Sequence, residues 1–351
     1  MISLNVGNLW SSTYLDKVIE LNKQYGDTVR VDSLFGSIAG LTPTARAADR
    51  IPYRDWNFLD HYIDKARKNN IKIRYTLNTS CLGSIQTFKH DWDSKLKADI
   101  QELHSIGVNE WTVTSALLIQ LLREMFPSDF IEVSTIYEMT SPLEADHLMR
   151  LGANGVNLST SINRRPSAIE HIMKTGIRVS VLANEACLFG CPWRRECYNL
   201  SSHDSQRSEE LFGNYPFAYC NNYRMENPVE WVKSRMVLPS WMSLYQEKFG
   251  IKCFKVAYRT HPYDVAIPIL EYYMSQHDPT NLLDLWPTIA KLGGTEEPRD
   301  SCFISTAVVK DELSALLSAG EHCGSKTCGV YGNGCRVCHK LYDRAYKEKG
   351  L

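Results

Sequence analysis

Short apolar runs rich in β-branched residues alternate along the chain with longer segments in which apolar residues recur every three or four positions. The short runs predict eight strands: Ile2–Val6, Thr28–Leu34, Lys72–Asn78, Glu110–Thr114, Phe130–Ile136, Gly155–Ser159, Arg178–Asn184 and Cys253–Tyr258. The longer segments predict helices at Thr13–Tyr25, Trp56–Asn69, Leu96–Ile106, Leu117–Met125, Pro142–Leu151, Pro166–Lys174 and Ala266–Ser275. Eight strands mostly separated by helices predict an α/β fold of the (β/α)8, or TIM-like, barrel type.

The alternative is an open doubly wound sheet, but no glycine-rich phosphate fingerprint follows the first strand. Residues 188–250 interrupt the alternation, and we interpret them as an insertion after the seventh strand, at the top of the barrel. Residues 281–351 read as a separate C-terminal segment. The predicted division is therefore a barrel over residues 1–280 and a small cysteine-rich segment over 281–351.

Polar residues stand at the carboxyl ends of the predicted strands, where barrel enzymes carry their active sites. Lys255 and Arg259 are candidates for gripping an anionic group such as a carboxylate, although pairing with Asp32 or Glu132 inside the barrel would also explain them. Asn78 and Asn184 are candidates for orienting a substrate or a ligand loop, with turn capping as the alternative. The remaining strand-end residues of this kind are Asp32, Cys81, Thr114, Ser134 and Asn157.

Charge and hydropathy narrow the class of protein. The 351 residues carry 39 basic and 40 acidic side chains, for a net charge of −1, so a long nucleic acid is an unlikely partner. Met1 leads directly into a strand-like run without a basic segment, and no apolar stretch is long enough for a bilayer. We therefore expect a cytoplasmic protein without a membrane partner, in which thiols stay reduced and clustered cysteines favour metal over disulfides.

Eight of the eleven cysteines form two tight groups, and four thiols are what a tetrahedral zinc ion or an iron–sulfur cluster requires. The first group follows the seventh predicted strand, where Leu188, Phe189, Pro192 and Trp193 supply an apolar wall. Its members are Cys187, Cys191, Cys197 and Cys220. This position predicts a metal centre at the mouth of the barrel, with catalytic and purely structural roles about equally favoured.

The cysteine loop resembles that of the U32 peptidase family, also called the collagenase-like family. The resemblance continues in Gly250-Ile251, in the run from Phe254 to Arg259, in Tyr263 and Tyr272, and in Leu238–Trp241 and Tyr245. It spans roughly residues 1–280. The chain departs from the family in having Ala257-Tyr258 where many members place a glycine before the arginine, and in a tighter cysteine spacing.

The resemblance implies a barrel that holds a 4Fe–4S cluster and takes part in oxygen-independent hydroxylation of RNA bases or of a quinone precursor. Within the first group, Cys187, Cys191 and Cys220 are the expected ligands, and the fourth is either Cys197 or Cys81 from the end of the third strand. If neither binds, one iron stays open to substrate as a Lewis acid.

The second cysteine group lies near the C-terminus, and four glycines among its members allow tight turns. It consists of Cys323, Cys328, Cys335 and Cys338. Zinc and a second 4Fe–4S cluster fit its spacing about equally. A zinc ion would order the segment, whereas a second cluster would pass electrons to the first cysteine group. Because an oxygen-independent redox enzyme needs such an electron path, we favour the second cluster.

These observations predict an iron–sulfur oxidoreductase of the hydroxylase type acting on a small anionic or aromatic substrate, with an electron donor or a second barrel subunit as partner. A non-catalytic cluster-bearing subunit of a hydroxylase complex is one alternative. A peptidase is the other, although the chain has neither a Gly-x-Ser-x-Gly nor a His-Glu-x-x-His motif.

Overall fold

The computed structural model describes residues 1–82, 90–185, 187–206, 215–258, 261–286, 303–319 and 336–347. Its centre is a closed barrel in which eight parallel strands pair in chain order and the eighth strand pairs back onto the first. The strands are β1 (Ile2–Gly7), β2 (Val29–Gly36), β3 (Lys72–Leu77), β4 (Glu110–Val113), β5 (Phe130–Val133), β6 (Gly155–Asn157), β7 (Arg178–Leu182) and β8 (Cys253–Val256). The predicted barrel is therefore confirmed.

Amphipathic helices cover the outside of the barrel and bury one apolar face each. Those between strands β1 and β7 are α1 (Ser12–Tyr25), α2 (Trp56–Lys68), α3 (His90–Ser105), α4 (Ala116–Met125), α5 (Pro142–Arg150) and α6 (Pro166–Met173). In α2, for example, Leu59, Tyr62, Ile63 and Ala66 are buried at helical spacing, and Asp55 caps the first turn by accepting from the Phe58 N–H. The sequence pattern thus places each helix against the sheet.

The long segment between β7 and β8 is helical. It contains α7 (Arg194–Asp204), α8 (Tyr215–Glu226), α9 (Val229–Lys233) and α10 (Trp241–Phe249), and β8 is followed by α11 (Tyr263–Ser275). This segment begins at the carboxyl end of β7. Its first helix, α7, therefore lies over the mouth of the barrel, where Tyr198 lines the pocket.

The described parts of the C-terminal segment, including α12 (Thr306–Ala319) and α13 (Val337–Lys347), pack on the side of the barrel. Trp241 of α10 donates to the Ser314 hydroxyl at 2.9 Å, and α13 contacts α9. Leu313, Leu317 and Leu341 are buried in the same apolar core as the barrel helices. Among the described helices, none is long and apolar enough to cross a membrane.

Candidate active site at the barrel mouth

A pocket of about 650 Å³, partly open to solvent, lies at the carboxyl ends of the strands. Its floor and walls come from strand ends: Phe35, Asn78, Ser134, Thr135, Ile136, Leu182, Lys255, Ala257 and Tyr258. Its rim comes from loops and the inserted helix α7: Arg46, Glu185, Tyr198, His261 and Trp286. Parallel strands end on one side of a barrel, and this geometry gathers residues that are far apart in sequence.

Lys255 is buried at the floor of the pocket and belongs to an ionic chain inside the barrel. Its Nζ lies 3.6 Å from Glu132 Oε2 and 4.2 Å from the centre of the Phe35 ring. Glu132 also pairs with Arg74 at 2.9 Å, and Arg74 pairs with Glu110 at 2.7 Å. The pairing with Glu132 that the sequence offered as an alternative is therefore present, and Lys255 lines the pocket as well.

The ionic chain keeps the Glu132 carboxylate charged although it is buried. Burial alone would raise the pKa of Glu132, but the charges of Arg74 and Lys255 and the Ser180 hydroxyl outweigh it and hold that pKa below its usual value. Ser180 Oγ donates to Glu132 Oε1 at 2.9 Å and accepts from Asn157 Nδ2 at 2.8 Å. Lys255 therefore stands beside a permanent negative charge that fixes its position.

Asn78 and Asn184, both predicted as site residues, have different surroundings. Asn78 lines the pocket, and its Oδ1 accepts from the Thr44 hydroxyl at 3.1 Å. Asn184 is fully buried, accepts from the Ala257 N–H at 2.7 Å and donates to the Ala257 and Leu285 carbonyls. Asn78 thus anchors the loop after β2 at the pocket, whereas Asn184 ties β7 to main-chain groups of later segments. Arg259 lies outside the described residues.

Glu185 and Arg194 form a wall on one side of the pocket. The Arg194 fork reaches the two Glu185 oxygens at 3.2 and 3.3 Å, and its Nε lies 2.8 Å from Glu138 Oε1. Tyr198 adds a phenol hydrogen bond of 3.2 Å to Glu185. Burial would raise the pKa of Glu185, but the Arg194 charge and the hydrogen bonds of the Cys187 thiol and of Thr160 lower it to about 2.

Cys187 and Cys191, two members of the first cysteine group, lie on the far side of this wall. Cys187 follows β7 and donates its thiol hydrogen bond to Glu185, while Cys197 and Cys220 lie on α7 and α8. Cys191, Cys197 and Cys220 are close enough to interact electrostatically, and the Arg224 guanidinium donates to Cys220 Sγ at 3.7 Å. The structure therefore brings Cys191, Cys197 and Cys220 near one another and places Cys187 beside Glu185.

Burial raises the pKa of the Cys187 and Cys191 thiols, and that of Cys197 to about 11. Among the described residues, no three His, Cys, Asp or Glu side chains are already arranged as a metal-binding group. The donor set suits a thiolate-bound metal or cluster in its chemistry, since metals displace thiol protons and often order their own ligands.

The remaining cysteines have separate surroundings. Cys81 stands next to Ser80, whose hydroxyl contacts Asn199 and Ser202 of α7. Cys197 is the candidate fourth ligand that the structure places within electrostatic reach of Cys191 and Cys220. Cys338 is half-buried on α13, while Cys323, Cys328 and Cys335 lie outside the described residues.

Several pocket residues were not singled out from the sequence. Arg46 belongs to a long loop after β2. Its positive charge lowers the pKa of His261 and partly offsets the rise in the pKa of Cys197 that burial causes. His261 stacks edge-on against Trp286 at 5.6 Å. The length of the loop after β2 was the available signal for Arg46, since long loops in compact domains are often functional.

Comparison with known proteins agrees with the barrel and with the family that the sequence resembles. The model of peptidase family U32 matches residues 47–226. An uncharacterized protease of Methanocaldococcus jannaschii, MJ1657, is 24% identical over 288 residues, which cover 82% of this chain and 81% of that protein. The solved structure of the U32 peptidase Mk0906 superposes with a TM-score of 0.53 at 17% identity, covering 74% of this chain and 93% of that one. The chain, whose family match includes the first cysteine group and the pocket wall, belongs to peptidase family U32.

Proposed function

We propose that this protein is an iron–sulfur oxidoreductase of the oxygen-independent hydroxylase type that acts on a small anionic or aromatic molecule. The observation that carries the proposal is the shared wall of Glu185, Arg194 and Tyr198. One side of this wall faces the pocket above Lys255, and the other faces Cys187 and Cys191. A redox group held by these thiols would lie next to a bound substrate.

The pocket favours an anion that carries a planar ring. Arg46 brings a positive charge, the Lys255 ammonium group borders the pocket beside its partner Glu132, and the Glu185 charge is already matched by Arg194. Phe35, Tyr258 and Trp286 offer apolar or aromatic surface against which a ring can pack. We infer that Lys255 binds a carboxylate and that Arg259, from the same segment, completes the grip.

Cys187, Cys191, Cys197 and Cys220 are the residues that would hold a 4Fe–4S cluster. Such a cluster would supply electrons or, with an open iron, a Lewis acid. Glu185 stays ionised and orients the Cys187 thiol, and Arg194 and Arg224 place positive charge beside the thiols, which favours their deprotonated form. Cys323, Cys328, Cys335 and Cys338 are proposed to hold a second cluster or a zinc ion.

Metal content of protein purified without air tests the proposal. About eight irons with matching sulfide per chain would indicate two clusters, and about four irons with one zinc would indicate one cluster and a structural zinc ion. Cys191→Ser should lower the iron content and bleach the visible spectrum. Cys253→Ser, which changes a buried cysteine of β8 outside the group, is the matched control. Colourless protein that contains only zinc would contradict the proposal.

Substrate binding is tested separately from metal content. Lys255→Met and Arg259→Ala should each weaken the binding of a carboxylate-bearing substrate about tenfold or more, without changing the iron content. Unchanged substrate affinity in both variants would remove the anion-binding role of these residues while leaving the cluster assignment intact.

Peptide hydrolysis is the second candidate, because the family carries that description and the relative from Methanocaldococcus jannaschii is named a protease. Ser134 and His261 line the same pocket and are residue types used in hydrolysis. Proteolysis that persists after metal removal and in Cys191→Ser, but is lost in Ser134→Ala, would favour the peptidase over the oxidoreductase.

A further inference from the structure

Arg235 is a buried guanidinium held rigidly between α9 and α10. Its side chain is 3% exposed, and its guanidinium carbon lies 3.6 Å from the centre of the Phe189 ring. Nη1 donates to the Lys233 carbonyl at 2.7 Å. The stacking and this hydrogen bond fix the plane of the group and leave its other edge to be satisfied.

The other edge of Arg235 consists of Nε and Nη2, and neither finds a hydrogen-bond acceptor among the residues that the structure describes. These two N–H groups point in parallel and form the fork that matches two oxygens of a carboxylate or phosphate. The unmatched donors are thus the pair best suited to an oxyanion.

The lack of an acidic partner sets Arg235 apart from other buried arginines. Arg74 meets Glu110 and Glu132, and Arg194 meets Glu138 and Glu185. For Arg235, no carboxylate of the described residues lies within ion-pair distance, and Glu138, which lines the same pocket, is paired with Arg194. A buried cation without a counter-charge costs several kcal/mol, so a site of this kind favours an anionic ligand strongly.

Arg235 lines a second pocket of about 420 Å³, on the cysteine side of the Glu185–Arg194 wall. Ser159 and Ser161 line it with hydroxyls that lie 2.8 Å from each other, and Phe189 provides apolar surface. Cys187 and Cys191 border the same space. A guanidinium fork, hydroxyl donors and an apolar wall together suit the acidic end of a small organic molecule.

We propose that this second pocket binds an oxyanion, the carboxylate of a small metabolite, on the Nε–Nη2 fork of Arg235 with help from the Ser161 hydroxyl. Neither the family assignment nor the metal proposal requires this site. This pocket is separate from the one that Lys255 lines. A carboxylate bound to Arg235 therefore belongs either to a second ligand or to the far end of a long ligand that extends past the Glu185–Arg194 wall. Inorganic phosphate shares the same chemistry and is the competing source.

Isothermal titration of the full chain, purified without air, tests the site with acetate, succinate and inorganic phosphate at constant ionic strength set by chloride. We expect saturable binding of a carboxylate probe, weakened about tenfold or more in Arg235→Met and partly restored in Arg235→Lys. Arg178→Gln is the matched control, since Arg178 also stacks on an aromatic ring, at 5.1 Å from Phe130, but lies at the opposite end of the barrel.

The outcomes separate the possible occupants of the pocket. Equal affinity in the wild type and Arg235→Met, or no binding beyond that of chloride, would overturn the proposal. Tighter binding of phosphate than of either carboxylate would overturn the choice of carboxylate.

Ser161→Ala, with an expected loss of affinity of about threefold to tenfold, replaces Arg235→Met if that variant does not fold. Carboxylate binding that is seen only after metal removal would show that the metal group fills the pocket, and this result would also overturn the proposal. Iron content should be the same in the wild type and Arg235→Met, so failure here leaves the proposed cluster untouched.

Discussion

At the scale of single residues, Glu132 has the most demanding position in the molecule. It is the shared partner of Arg74 and Lys255 in the barrel interior, where the three side chains are almost completely buried. Removing the shared charge takes away the carboxylate beside Lys255 and one of the two carboxylates beside Arg74, in a medium that solvates cations poorly. The same side chain therefore supports both the stability of the barrel and the placement of Lys255 in the pocket.

Glu132→Gln should lower the free energy of unfolding by about 3 to 5 kcal/mol, because it breaks a buried ionic network. Asp146→Asn is the control, since the Asp146–Arg150 pair on α5 is exposed and should contribute less than about 1 kcal/mol. Chemical denaturation measures both values. A loss as small as that of the control would mean that the network contributes little to stability.

His261 makes a pH-dependent contribution that can be isolated. Burial, assisted by the positive charge of Arg46, lowers its pKa from 6.5 to about 4, so the folded protein favours the neutral ring. The stabilisation that follows is complete above pH 6.5 and is lost as the pH falls toward 4, by about 3 kcal/mol at most.

Unfolding measured between pH 7.5 and 4 should therefore show a steeper loss of stability in the wild type than in His261→Gln. His277→Gln, at an exposed histidine just after α11, is the control and should follow the wild type. Parallel curves for the wild type and His261→Gln would contradict the lowered pKa.

At the scale of elements, Thr44 connects the loop after β2 to the barrel and to the inserted helices. Thr44 Oγ1 donates to Asn78 Oδ1 at 3.1 Å and accepts from the Ser37 hydroxyl at 3.0 Å. The Thr44 N–H donates to Ser205 near the end of α7. These bonds tie the loop that carries Arg46 to both the barrel and the inserted helices.

Thr44→Val should loosen this loop, because it leaves the buried Asn78 oxygen with one fewer donor at a cost of about 1 to 3 kcal/mol. We expect faster hydrogen exchange over residues 37–55 and weaker binding of anionic substrate through Arg46. Thr28→Val, which removes an exposed hydrogen bond to the Tyr25 carbonyl, is the control. If hydrogen exchange in this loop stays at the wild-type rate, the other contacts of the loop are enough to hold it in place.

The strands were predictable from sequence because each is a short, almost wholly buried run, but their ends were not. The predicted strand Phe130–Ile136 ends at Val133, since Ser134 caps a short 3-10 turn by accepting from the Ile136 N–H. Glu138 follows that turn in a left-handed conformation and meets Arg194. The pattern of apolar and polar residues predicts neither this turn nor the ion pair between Glu138 and Arg194.

The inserted helices were also missed, for two different reasons. Helix α7 is largely polar and presents no clear apolar stripe, and α9 is short and buried at four of its five positions. In both helices, which residues are buried depends on the segments that surround the helix and not on a 3.6-residue repeat of apolar residues. Predicting Lys255 and the cysteine loop required only strand ends, whereas the Glu185–Arg194 wall and the unmatched Arg235 fork depend on how this segment folds back.

At the scale of the whole molecule, an almost neutral chain concentrates positive charge around its two pockets. The net charge is −1, yet Lys255, Arg46 and Arg235 line spaces in which acidic groups are absent or already paired among the described residues. The even balance of acidic and basic residues predicts that a long nucleic acid is not a partner, but composition could not reveal this local arrangement. The arrangement suits small anions rather than a polyanion.

The described C-terminal residues bear on whether the chain holds one folding unit or two. Ile304, Val309, Leu313, Leu317 and Leu341 are buried in the apolar core shared with the barrel helices. Burying each of these side chains contributes about 2 kcal/mol, hence of the order of 10 kcal/mol together. That sum is comparable to the whole stability of a typical domain, about 5 to 15 kcal/mol.

Deletion of residues 303–351 should therefore yield a chain that is insoluble or melts far below the full-length protein, rather than an intact barrel. Lys310→Ala, which removes only a surface ion pair with Asp278, should melt within a few degrees of the wild type. Calorimetry of the three proteins decides the matter. A truncated chain that melts cooperatively at the full-length temperature would show that a barrel ending near residue 280 folds alone, as the sequence predicted, and that the buried C-terminal leucines serve only to dock a separate metal-binding segment.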